Sequence, residues 1–459
     1  MSRSRAARSP RAPRLSSERP LRRFESPRRN PSLKGSPMKL KASLLTLAVF
    51  ATACSDSDGP QVDPDAGTAG PLYAAITQVA IAGGNTQSYL VTLDDIEKAQ
   101  TVGIGDAIEL PADAYIAAGL PGTGKFIVSS SRLPTVTPYT LNADGSLKAG
   151  DPLSFTSQGV AATGGYQSQH YFVSETKAYY FDHVNYKLVI WNPQDLAIIT
   201  SKDLTSQLKD GDFSFRYSQS LAITAGNDVI IAGGWHAADV KTVPAKTALV
   251  IVDTQTDEVT VKVDNRCGWA RDGVKHTDGK IYYATESLGS GAHFVSPGTT
   301  GAPCMVRFDP ATGEFDAWST TLDSFINPGT EGDIAAMLLP GAPGKGYLRV
   351  MNKAAAQSAW DAAVTAERTF NGQSAAVGAW WSLWEVTLGD APTATPVVRD
   401  DLVPTNGRTI PQNPGELLVL PEFINDNAQT RFRLMSPETG LGDAKTVVEG
   451  QVRGLLRIR

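Results

Sequence analysis

The chain predicts an all-β fold, a seven-bladed β-propeller closed by its C-terminal strand pairing into the first blade. Three observations predict it. First, seven short apolar runs each meet a polar turn and lead into a second run. The clearest are Ala248–Val263 and Cys304–Trp318, and the others centre on Leu93-Asp94, Leu141-Asn142, Trp191-Asn192, Val386-Thr387 and Met435-Ser436. A strand-turn-strand unit recurring at roughly 40–50 residues or a little more marks a propeller, because no single blade can bury both faces alone. Second, most copies follow another hairpin, such as Ala222–Gly234, Ile116–Val128 or Val274–Ala284. Third, the first unit opens at Leu72 with no innermost strand, while Val452–Arg459 is left over at the other end.

Each blade is expected to hold four antiparallel strands, A innermost to D outermost. The repeating motif is then the C–D hairpin and the preceding one A–B. Gly or Asp stands at the turns and β-branched or aromatic residues flank them, as hairpins require. The spare last strand supplies strand A of blade one and removes the open edges that template aggregation. Residues 72–459 are therefore one domain.

Before that domain come three segments. Residues 1–37 carry ten Arg and one Lys against Glu18 and Glu25 and read as a disordered basic extension ahead of the true start. Residues 38–53 read as a secretion signal: Lys39 and Lys41, an apolar core too short to span a bilayer, then small residues. Cys54, after Ala51-Thr52-Ala53, stands where a bacterial lipoprotein signal places its lipidated cysteine. Residues 54–71 are acidic, Gly- and Pro-rich and without apolar pattern, so they read as a flexible tether. These features lead to the expectation of a bacterial cell-envelope protein, lipid-anchored through Cys54.

Charge narrows the partners. The whole chain has 42 Lys and Arg against 47 Asp and Glu. Most of the basic excess lies in the first 41 residues, so the mature domain is strongly acidic. Such a domain is no generic binder of nucleic acid or of anionic membranes. Cys267 and Cys304, which the blade register puts on one face, are expected to form a disulfide in the oxidising envelope.

The B–C and D–A connections share one face, and on blades four to six they are long: 233–246, 287–303 and 352–379. Long loops on one side of a rigid ring are where binding sites concentrate. The candidate ligand residues there are Trp235, His236, Arg266, Trp269, Arg271, His293, Arg368, Trp380 and Trp381. Arg216, Lys275 and Trp360 lie nearby. Aromatics with arginines suit a flat, anionic, aromatic ligand held by stacking and charge. Replacing Trp380 and Trp381 is expected to weaken the ligand and leave folding nearly intact.

Catalytic signals are thin, and the expectation is a non-enzyme with no catalytic residue, metal or cofactor. His170, His183, His236, His276 and His293 fall singly on different units, and no nucleophile elbow, Walker loop or calcium loop appears. Glu331 and Asp333 with His276 form the one candidate acid–base group.

Val250–Val261 resembles the YVTN-type propeller repeat. Blade two (Thr137–Leu147) and blade three (Ala178–Asn192), behind a lipoprotein signal, resemble the MxcI-type lipoproteins. That resemblance implies capture of a ferric siderophore and its transfer to a TonB-dependent outer-membrane receptor. The alternatives left open are an envelope protein-interaction scaffold and a propeller hydrolase or dehydrogenase.

Overall fold

In a computed structural model, residues 70–459 are described except 323–332, 405, 408–410, 416 and 437. Segments 1–37 and 38–53, nearly all of 54–71, Cys54 and Glu331 lie outside the described residues. Seven sheets form the blades of a propeller, and the C-terminal strand Gln451–Arg457 pairs antiparallel with Tyr73–Ala80 to complete the first. Leu72 N–H donates to Arg459 O at 3.2 Å, and Ile458 N–H donates to Leu72 O at 2.7 Å. The two ends of the domain are thus stitched together.

Blades two to six follow the expected A–B–C–D order. Their A strands, ringing the hub, are Ala114–Gly119, His170–Ser174, Ser214–Tyr217, Ala270–Lys275 and Ile334–Pro340. In blade four the A strand breaks after Tyr217 and resumes at Ile223–Ala225. Strands B and C are the most buried. Residues such as Leu249, Val250 and Val252 of the blade-four C strand face neighbouring blades on both sides. That two-sided burial explains why the C strands read as unbroken apolar runs rather than as alternating ones.

Blades one and seven also form four-stranded sheets but take strands from distant parts of the chain. In blade seven the A strand shrinks to a single bridge, Gln412 to Val419, with N–H···O distances of 2.8 and 2.9 Å. Pro411 and Pro414 bracket this bridge, and neither has an N–H to extend a ladder. Strands B, C and D of that blade are Leu418–Ile424, Gln429–Ser436 and Gly440–Glu449. After the blade-one C strand, Thr86–Leu93, the chain first lends Gln100–Val102 to the outer edge of blade seven as a parallel strand. It then returns as the short D strand Ile108–Leu110. Thr446 Oγ1, on the blade-seven D strand, lies 3.0 Å from both Ile96 O and Lys98 O, fixing the crossing. The ring is therefore closed twice, once at the hub and once at the rim.

The A–B and C–D turns lie on one face, where Gly70 O accepts from Arg459 Nε at 3.0 Å. The B–C and D–A connections make the opposite, loop face. Three helices there, α1 (Ser287–Val295), α2 (Lys353–Thr365) and α3 (Gly372–Val377), come from the blade-five and blade-six insertions. The first and third pack through small residues: a Cβ on Gly291 would sit 2.5 Å from Gly372 O. Among the described residues no helix is long and apolar enough to cross a membrane. Cys267 and Cys304 are bonded on the loop face, 37 residues apart in sequence.

Replacing both cysteines with alanine releases that loop in the unfolded chain. It should lower the unfolding free energy by about 2–4 kcal/mol, read from urea denaturation at pH 7.

Candidate functional site

The aromatic and basic residues of blades four to six mostly point inward. Trp235 is 1% exposed, its Nε1 donates to Leu208 O at 2.7 Å, and Lys246 Nζ sits 4.8 Å from its ring centre. Next to it, the His236 imidazole stacks on Trp269 with ring centres 4.7 Å apart. The Arg271 guanidinium covers Trp269 at 4.4 Å. This layered stack is buried, and Arg271 also reaches Glu286 at 3.2 Å and Tyr217 O at 2.5 Å. Glu286 caps α1 by accepting from Leu288 N at 2.9 Å. The stack therefore fixes the cap helix to the blades and leaves no ring face for a ligand to lie on. Gly234 makes room for it, since a Cβ there would stand 2.7 Å from the Trp269 ring.

Trp381 is equally hidden, and the structure corrects the expectation that it can be removed without cost to folding. Its Nε1 and that of Trp380 both donate to Ala375 O, at 3.1 and 2.8 Å, pinning the end of α3. Trp380 is half-buried and packs near Phe370, on which Trp360 stacks at 5.8 Å. His293 is half-buried with Nδ1 3.2 Å from Thr300 O. Arg266 and Arg368 are exposed. The first is engaged by Asp264 at 2.6 Å. His276 sits at the A–B turn of blade five, 3.1 Å from Asp278, whereas Asp333 precedes a blade-six strand on the other face. The candidate acid–base group is thus not assembled. Among the described residues no cluster of three His, Cys, Asp or Glu side chains could hold a metal ion.

The open space on the loop face lies beside this cap, over the hub. It has two lobes of about 450 and 280 Å³ that share Tyr115, Gly165 and Tyr166 as a common wall. The larger lobe is rich in amides: Gln167, Gln219, Gln373, Asn406, Gln412 and Gln451, with Arg453. Gln373 belongs to α3, so the blade-six insertion does contribute a wall. The smaller lobe holds Gln169, His183, Arg216 and Tyr217. Among the described residues no carboxylate lines either lobe.

Proton positions in the smaller lobe follow from its hydrogen bonds. Gln169 Oε1 accepts from Tyr166 N at 3.0 Å, which leaves its Nε2 to donate to Phe181 O at 3.0 Å and to His183 Nδ1 at 2.8 Å. His183 Nδ1 is then an acceptor and Nε2 carries the proton. Burial, and then the Arg216 charge, hold His183 down at about 4, so the ring is neutral at pH 7. Gly165 is required here: a Cβ would overlap Gln169 Oε1 at 1.9 Å. Of these lining residues the sequence singles out only Arg216 and His183, and neither as part of one cavity.

No family model matches the chain, and no curated protein matches it in sequence. Solved structures that resemble it include the periplasmic gluconolactonase PpgL of Pseudomonas aeruginosa, at 10% identity over 84% of this chain and 99% of that one, TM-score 0.47. Apo AztD from Citrobacter koseri matches at 8% identity over 84% and 98%, TM-score 0.35. The dihydro-heme d1 dehydrogenase NirN matches at 10% over 84% and 75%, TM-score 0.40. These likenesses concern the fold.

Two outcomes are expected. Trp381→Ala should lower the unfolding free energy by about 3–5 kcal/mol, as for other buried tryptophans, read from urea denaturation. Stability should also fall as pH drops from about 6.5 toward 4. Burial holds His170, His183 and His236 down at about 4, so the unfolded chain takes up their protons first. Asp272, raised to about 6 chiefly by burial, works the opposite way, its ionisation costing the fold as pH rises through 4 to 6. The urea midpoint of His183→Gln between pH 4 and 7 should therefore vary less than that of the parent.

Proposed function

We propose that the protein binds a small anionic ligand in the two-lobed cleft on its loop face, acting as a non-enzymatic capture protein of the cell envelope. The observation that carries this reading is the charge of the cleft. Arg216 and Arg453 line it, no carboxylate among the described lining residues offsets them, and amides supply neutral donors and acceptors. Arginine in a partly desolvated, amide-lined cavity favours carboxylates and similar anions. It is also consistent with an acidic protein catching an anion through a local basic patch.

The finer reading is a ferric siderophore as ligand and a TonB-dependent outer-membrane receptor as recipient, with Cys54 lipidated. It is supported by the lipoprotein-type signal and by the resemblance of blades two and three to MxcI-type lipoproteins. The aromatic surface for such a ligand is Tyr115, Tyr166 and Phe423, not the tryptophans.

The test is calorimetric titration of the soluble domain with ferric and iron-free siderophores of catecholate, hydroxamate and carboxylate types. The expected result is saturable binding of at least one ferric form, weakened about tenfold or more in Arg216→Gln or Arg453→Gln. Flat titrations throughout, or binding indifferent to both substitutions, would contradict the proposal.

A further inference from the structure

The two arginines of the cleft are held differently, and that difference specifies the ligand. Arg453 stands on the closing strand Gln451–Arg457. Its Nε donates to Gln78 Oε1 at 2.9 Å and its Nη2 to Gln451 Oε1 at 2.7 Å. The guanidinium also lies 5.9 Å from the Tyr115 ring centre. Both amide partners fix its direction without neutralising it. Arg216, on the blade-four A strand, has no hydrogen-bond or ion-pair partner among the described residues and acts on its surroundings only as a charge, lowering His183 and His236. Beside it Tyr217 is 2% exposed, and its hydroxyl has no hydrogen-bond partner among the described residues.

Each lobe thus contains one arginine with no carboxylate among its described lining residues, and the two lobes adjoin, sharing Tyr115, Gly165 and Tyr166 in their walls. We infer that the cleft is built for a ligand with two anionic groups, one carboxylate at Arg216 and a second at Arg453, joined by a polar spacer along the amide-lined wall. The His183 Nε2–H is a neutral donor in the same lobe as Arg216. This inference rests on the proposed anion-binding role and sharpens it to di- or polycarboxylates. A lone anion would satisfy one arginine and leave the other charge in a cavity with no counter-ion.

The experiment is calorimetry of the soluble domain with a series of α,ω-dicarboxylates and citrate, each dicarboxylate paired with its monoamide. Wild type, Arg216→Gln, Arg453→Gln and the double variant are compared, with melting curves to confirm that each is folded. Arg453→Lys keeps the charge and serves as a second variant should Gln disturb the closing strand. The expected result is a preferred chain length that binds about tenfold or more tighter than its monoamide. Each single Gln variant should reduce the diacid to about the monoamide level, and the double variant should fall clearly below it because no arginine–carboxylate pair remains. Equal affinity for diacid and monoamide, or loss confined to one arginine, overturns the two-anion inference. If no carboxylate binds while a ferric siderophore does, the inference fails and the capture role stands. If neither class binds, both fail.

Discussion

Everything in this molecule depends on closing the ring. A propeller blade is stable only with a neighbour on each side, so the first and last blades must find each other through strands that are distant in sequence. The chain meets this constraint twice, with Gln451–Arg457 entering blade one at the hub and Gln100–Val102 crossing to blade seven at the rim. The hub closure does more than hold the ends. It carries Gln451 and Arg453 to the wall of the central cleft, so closing the ring also places one of the cleft's two arginines.

The long insertions on blades four to six serve a structural end. Helices α1 and α3 are made largely of Gly, Ala and Ser, which allows them to pack closely but gives them little apolar area of their own. The tryptophans of the strands beneath supply that area, and Trp380 and Trp381 both donate their indole N–H groups to Ala375 O of α3. Arg271 and Glu286 form a buried ion pair at the same boundary. A pair of this kind is weak evidence for stability, yet breaking one side of it would strand a buried charge. The cap is accordingly a fixed roof, and the amide-lined cleft opens beside it.

How much of this could be read from the chain follows from the distance over which each signal acts. The blades were legible because a hairpin is local: apolar strand, turn residue, apolar strand. Gln451–Arg457 was legible because one spare strand had one vacant place. Gln100–Val102 was not, since a three-residue parallel edge carries no pattern, and the hub bridge at Gln412 is too short to read between its prolines. The cleft escaped for a related reason. Tyr115, Gly165, His183, Arg216, Gln373 and Arg453 come from six separate connections and strands, and none is unusual in its own neighbourhood. The one local clue was Gly164-Gly165 ahead of Tyr166-Gln167-Ser168-Gln169, where a polar loop passes too close to other backbone for any side chain. Clustered Trp and Arg looked like a stacking surface, but large aromatics in long loops are as readily the core that such loops need.

The central claim is that ligand enters the hub cleft on the loop face. Hydrogen-exchange mass spectrometry of the soluble domain, with and without a saturating ferric carboxylate siderophore, tests it most directly. The account predicts new protection in the segments around 164–169, 214–219 and 451–453, with the A–B and C–D turns unchanged. Protection confined to the opposite face, or to the outer loops of blades five and six, would contradict it.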